Sequence, residues 1–152
     1  MRKPYFQSDP ASPIPLQMTL QRQVRFEEVD SMGIVWHGRY IGYFEEARVA
    51  LGNKYGVSYS DFIRNQIPVP IRQVSVDHLE PLFFEEMIEI EAILHWTEAA
   101  RINFEFKIHK DRKVVCTGHS IQLMLDTNFE LLLAPPSFYM VFMEKWKKGL
   151  LD

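Results

Sequence analysis

Cysteine is nearly missing from this sequence: Cys116 stands alone, so no disulfide can close within the chain and a reducing compartment fits best. It lies in an apolar run, where packing is the simplest role for a thiol. Long hydrophobic stretches are missing too. A charge or a proline interrupts every apolar segment before about 18 residues accumulate, so no membrane span is expected. Arg2 and Lys3 are followed by Pro4, Ser8, Asp9, Pro10 and Ser12 instead of the apolar core of an export signal, which makes a cytoplasmic location the expectation. Positive charge is in deficit: 17 Lys and Arg against 20 Asp and Glu leave a net charge of -3, which offers no broad field to nucleic acid. His78, His95, His109 and His119 lack the close spacing of a metal centre, so no metal is expected. No repeat or low-complexity tract is present, which removes solenoids and coiled coils.

What remains is the composition of a folded domain, with 47% of 152 residues hydrophobic and 24% charged. A chain of this length buries roughly 70% of its unfolded surface, enough for one core held by packing alone. A single domain over residues 1–152 is expected. Residues 1–16 carry Pro4, Pro10, Pro13 and Pro15 and read as an irregular arm that gains order only by docking. Met18 to Glu28 alternates loosely, as a half-buried first strand does. Tyr40, Tyr43, Phe44, Ala47, Ala50 and Leu51 recur three and four apart, predicting a helix that closes near Gly52 or Gly56. Its apolar residues cover most of its circumference, which predicts burial against a sheet, with Glu45, Glu46 and Arg48 as a solvated exception.

A helical turn at Tyr59 to Arg64 precedes Pro68 and Pro70, where extended structure resumes. Ile88 to Trp96 and Ile102 to Ile108 alternate as strands with one wet face. Val114 to Leu125 is longer and more apolar. Gly118 at its middle predicts a bend or the close approach of another backbone. After Pro135 and Pro136, residues 137–151 place Tyr139, Phe142, Met143, Trp146 and Leu150 on one stripe of a C-terminal helix. The pattern alone gives an α+β class, an antiparallel sheet packed on a buried helix, and leaves function open.

The informative stretch is Val24-Arg25-Phe26-Glu27-Glu28-Val29-Asp30-Ser31-Met32-Gly33-Ile34-Val35-Trp36-His37-Gly38-Arg39-Tyr40, continuing through Tyr43-Phe44-Glu45-Glu46-Ala47-Arg48. Taken alone, an Asp beside Ser and ahead of Gly reads as a turn residue accepting local N–H bonds. The stretch as a whole resembles the 4-hydroxybenzoyl-CoA thioesterase-like family. That family's strand end is followed by Asp-x-x-Gly, a short apolar run, a histidine or aromatic, and a helix with a tyrosine near its start. Gly118 and Asp126 extend the resemblance, which spans roughly Met18 to Pro136. Glu28, Val29 and Met32 depart from the residues most common at their positions, and none of them removes the acid at 30.

The resemblance implies a hotdog fold, five or more antiparallel strands wrapped around a central helix and assembled as a homodimer or homotetramer. It implies Asp30 and His37 as catalytic residues, and Gly33, Gly38, Tyr40 and Glu45 as substrate-binding ones. The expected activity is hydrolysis of an acyl-CoA or acyl carrier protein thioester, without a cofactor. The residue types suit that chemistry. A carboxylate over a thioester carbonyl either attacks it or deprotonates a water, and the N–H groups opening the helix near His37 to Arg39 suit the oxyanion that develops. An imidazole at 37 is fitted to position water or pass a proton. Two rival functions share the fold: a non-catalytic acyl-CoA-binding module, and a dehydratase that leaves the thioester intact.

Overall fold

A computed structural model describes residues 3–151. Strand β1 (Leu16–Gln23) leads through a 3-10 turn (Phe26–Glu28), a tight loop and a second 3-10 turn (His37–Arg39) into helix α1 (Tyr40–Tyr55). A short helix α2 (Tyr59–Arg64) follows, then β2 (Ile71–His78), β3 (Met87–His95), β4 (Arg101–Lys110), β5 (Lys113–Leu123) and helix α3 (Ser137–Lys147). The strands form one antiparallel sheet in the order β1-β3-β4-β5-β2. With α1 laid across one face, this is the α+β hotdog arrangement.

Alternation decides which residues meet α1. Ile88, Ile90, Ala92 and Leu94 of β3 are buried on one face, next to Phe104, Phe106 and Ile108 of β4 and Cys116 of β5. From α1, Tyr40, Tyr43, Phe44, Ala47 and Leu51 close that core. Phe44 stacks on Phe106 with ring centroids 4.5 Å apart, and Phe106 lies opposite Gly118 in the sheet register. The glycine at 118 serves this contact. A methyl group there would lie 2.6 Å from the Ser75 carbonyl oxygen and closer still to the Phe44 ring, so the close approach expected from the sequence comes from both the helix and the neighbouring strand.

Several boundaries differ from the sequence pattern. The first strand runs Leu16–Gln23, not Met18 to Glu28, because Phe26–Glu28 turns to bury Glu28 while leaving Phe26 exposed. Leu16 thus belongs to the sheet and shortens the arm of residues 1–16. The last helix ends at Lys147, short of the expected 137–151, since Gly149 takes φ 69°, and Leu150 is exposed instead of joining the stripe. Helix α1 is also less enveloped than its composition suggested: Ile41 and Val49 face outward. The described part of the proline-rich arm lies against the sheet and α3. Tyr5 stacks on His119 at 3.6 Å, and the Trp146 indole N–H donates to the Ile14 carbonyl at 2.8 Å.

Gly118→Ala is expected to lower stability by about 1–3 kcal/mol through overpacking. Denaturant unfolding monitored by circular dichroism measures this, and an unchanged midpoint would show that Phe44 and β2 yield to a methyl group without cost.

Candidate active site

Between β1 and α1 the chain is pinned by a buried carboxylate. Glu28 is only 4% exposed, and both of its oxygens accept from the Arg22 guanidinium at 2.6 Å. The Arg25 backbone N–H donates to it at 2.8 Å and the Tyr43 hydroxyl at 3.1 Å. Arg22 reaches on to Glu46 through its Nε, 2.6 Å away, and lies over the Tyr43 ring. Burial pushes the Glu28 carboxyl up, but the bonds from Arg22, Arg25 and Tyr43 together hold it below its ordinary value. Strand, loop and helix therefore meet at one ionised group.

The loop beyond it is a compact hairpin. Val29 bridges Val35, the Asp30 N–H donates to the Ile34 carbonyl at 2.8 Å, and the Trp36 N–H donates to the Glu28 carbonyl at 2.9 Å. Gly33 turns the hairpin at φ 79°, a left-handed conformation that glycine adopts without a steric penalty, and its N–H donates to the Asp30 carbonyl. Asp30 is half-buried. Its Oδ1 accepts from the Met32 N–H at 2.8 Å, and its other oxygen has no hydrogen-bond partner among the described residues. The turn His37–Arg39 and the start of α1 carry no side-chain cap, which leaves the first N–H groups without side-chain acceptors.

Asp30, His37 and Tyr40 line one open cleft of about 300 Å³, with Met32 and Ile34 on one wall and His78 to Pro81 on the other. The Tyr40 ring meets His78 edge-on, centroids 4.5 Å apart. Burial, with Cys116 adding to it, pushes the Tyr40 hydroxyl up to about 12, so at neutral pH it is a neutral donor. Gly33 and Gly38 do not line the cleft, and the Trp36 indole covers Gly38 so closely that a side chain there would collide with it. Glu45 lies outside this cleft. Its carboxylate pairs with Arg48 at 3.0 Å and accepts from the Tyr59 hydroxyl at 3.0 Å. Arg48 is not a solvated residue, as its place beside two glutamates suggested: it is 5% exposed and its Nη2 donates to Ser120 Oγ at 2.6 Å.

Two features escaped the sequence reading. His78 reads as one of several scattered histidines, and only the pairing of β2 with β5 carries it to Tyr40. Glu28 reads as a neighbour of the acid at 30. Its partner Arg22 sits six residues back on β1, a separation that no helical or strand period singles out. Among the described residues, no group of three or more His, Cys, Asp or Glu is placed to hold a metal ion.

The cleft offers the carboxylates of Asp30 and Glu80, two imidazoles and an uncapped helix start around one space, with Tyr40 in its wall. That set suits addition to a carbonyl, with a group to attack or deprotonate and donors for the oxygen. Glu28→Gln is expected to cost about 3 kcal/mol, because Arg22 loses its buried partner while keeping Glu46. The lowered Glu28 value means that its contribution is complete above the ordinary value of 4.5 and is lost as pH falls through the native one. Urea midpoints across that acid range should therefore fall less steeply for the variant than for the native chain. Parallel slopes would overturn the role of Glu28.

The chain is 25% identical over 69 residues to the acyl-CoA thioester hydrolase YbgC of Escherichia coli, covering 45% of this chain and 52% of that protein. It is 25% identical over 111 residues to the 1,4-dihydroxy-2-naphthoyl-CoA hydrolase of Synechococcus elongatus, covering 70% of this chain and 80% of that one. The chain spans between 52% and 66% of the length of the first curated relatives it matches. Its fold is similar to that of the DHNA-CoA thioesterase of Staphylococcus aureus, with a TM-score of 0.76 at 20% identity over 88% of this chain and 90% of that one. The sequence model of the Thioesterase-like superfamily matches residues 24–142, from the buried Val24 through all of the cleft and into α3, and the chain belongs to that family.

Proposed function

We propose that this protein hydrolyses the thioester of an acyl-CoA, or of an acyl carrier protein, to a free acid and a thiol, with Asp30 as nucleophile or general base. The observation that carries the reading is the meeting of Asp30, His37 and Tyr40 in one cleft at the uncapped start of α1, inside the span matched by the Thioesterase-like superfamily. The Met32 N–H orients the Asp30 carboxylate through one oxygen and leaves the other for the reaction. If that oxygen attacks the carbonyl carbon, the C–S bond breaks, the thiolate departs and an acyl-aspartate anhydride remains for water to open. If it deprotonates a water, the hydroxide adds to the carbonyl and the tetrahedral oxyanion expels the thiolate. Either route places negative charge on the carbonyl oxygen, which suits the N–H donors at the helix start. His37, exposed at the rim, and His78, opposite it, are placed to pass a proton to the departing sulfur.

A homodimer or homotetramer forms part of the same proposal. Strand β2 lies at the end of the sheet with only β5 beside it, and Ile71 and Val74 on it are exposed. Around the cleft Met32, Trp36, Leu79 and Phe83 are exposed as well. An apolar rim beside a free sheet edge suits a second copy of the chain, which would add walls to the open cleft. The single buried cysteine suits a cytoplasmic setting.

Free-thiol release from short-chain, long-chain and aromatic acyl-CoAs tests the activity. Asp30→Asn, checked for folding by circular dichroism, is expected to lose about 10²–10⁴-fold in turnover. Acyl-CoA binding without thiol release from any substrate would instead favour the binding module, and hydration of an enoyl-CoA with the thioester intact would favour the dehydratase. Light scattering on the eluting protein should give twice or four times the chain mass. A fully active monomer at assay concentration would remove the second chain from the site.

A further inference from the structure

At the other end of α1 lies a second cavity, of about 260 Å³, between the last turns of that helix, α2 and the sheet. From Tyr40 to Arg48 the helix rises about 12 Å, and the buried side chains of Tyr43, Phe44 and Ala47 fill the interval, so this cavity is separate from the Asp30 cleft. Leu51, Phe62, Leu94 and Phe104 give it apolar walls, and Arg48 is the one cation that lines it. No acidic residue is among the described residues of its lining. The Arg48 guanidinium is fixed by Glu45, Tyr59 and Ser120 through its two terminal nitrogens and rests 5.3 Å from the Phe104 ring. Its Nε–H is buried and has no acceptor among the described residues. A buried donor without a partner is uncommon in a folded chain, and here it belongs to the one charged residue of a cavity whose other polar side chains, among them Asn53, Ser58 and Gln122, are neutral. Glu45 meets the guanidinium from a position 38% exposed to solvent and is not part of the cavity wall.

We infer that this cavity is a binding site for a small carboxylic acid, its apolar body against Leu51, Phe62 and Phe104 and its carboxylate accepting from Arg48. A carboxylate is the acceptor that a guanidinium holds most strongly. The volume lies just below the roughly 300–1,000 Å³ of drug-sized ligand sites, which sets the size of the acid. The inference does not rest on the thioesterase reading, since it concerns a different cavity and no bond is made or broken there.

Calorimetric titration of the full chain with hexanoate, benzoate and phenylacetate, against hexanol and benzamide as uncharged counterparts, tests it. At least one acid should saturate at one per chain and bind about tenfold or more tightly than its uncharged counterpart. Asp30→Asn should leave that affinity unchanged. Arg48→Gln, and Val57→Phe, which narrows the cavity while keeping the cation, should each weaken it about tenfold or more. In NMR titrations of the native chain, which need no variant, backbone amide shifts should concentrate on residues 52–62. The inference is overturned if no acid saturates by about 10 mM, if the uncharged counterparts bind as well, or if the shifts concentrate on residues 30–40.

Discussion

Everything that gives the cleft its shape depends on one ionised side chain held away from water. The Glu28 carboxylate is costly to bury, and it is tolerated because a bidentate guanidinium, a backbone N–H and a phenol all point at it. Those donors come from β1, from the turn and from α1, so their agreement fixes three elements against one another. The hairpin carrying Asp30 hangs directly from this point through the Trp36 N–H, and its far side is tied to the Leu82 carbonyl through Val35. The position of the Asp30 carboxylate is thus set by a second carboxylate two residues upstream that faces inward.

Much of the architecture was legible because it rests on local period. The three-and-four spacing from Tyr40 to Leu51 marked α1, and alternation marked β3 and β4. Gly118 announced a close approach before its partners were known. What the sequence could not display depends on distance along the chain. Arg48 looks solvated beside Glu45 and Glu46, yet Ser120, 72 residues later, draws it into the interior. The first strand ends earlier than its alternation suggests because a polar group turns the chain at Glu28, where burial of one carboxylate outweighs the pattern around it. In the cleft, Asp30 was legible through its resemblance to a family pattern. His78 was not, since its position follows from strand order alone.

Helix α1 therefore separates two spaces of different character. The one at its start is open, bears a carboxylate and lies where backbone donors are unspent. The one at its end is more enclosed, with a single cation whose neighbours fix it without using all of its donors. Both arise from the same requirement: a helix buried along one stripe must stop, and at each stop the packing of Phe44 against Phe106 no longer fills the gap between helix and sheet.

Strand order has a further consequence for how the protein is made. β2 ends at His78, but its only neighbour in the sheet is β5, which begins at Lys113. A chain emerging from the ribosome can close the Glu28 knot as soon as α1 is out, yet β2 must wait, unpaired, until β3, β4 and β5 have been synthesised and aligned. The wall of the cleft formed by His78 to Pro81 is consequently among the last parts to arrive. A truncated or stalled product would hold Asp30 in its hairpin with one wall of the cleft still missing, so the nascent chain completes the cleft only after β5 has emerged.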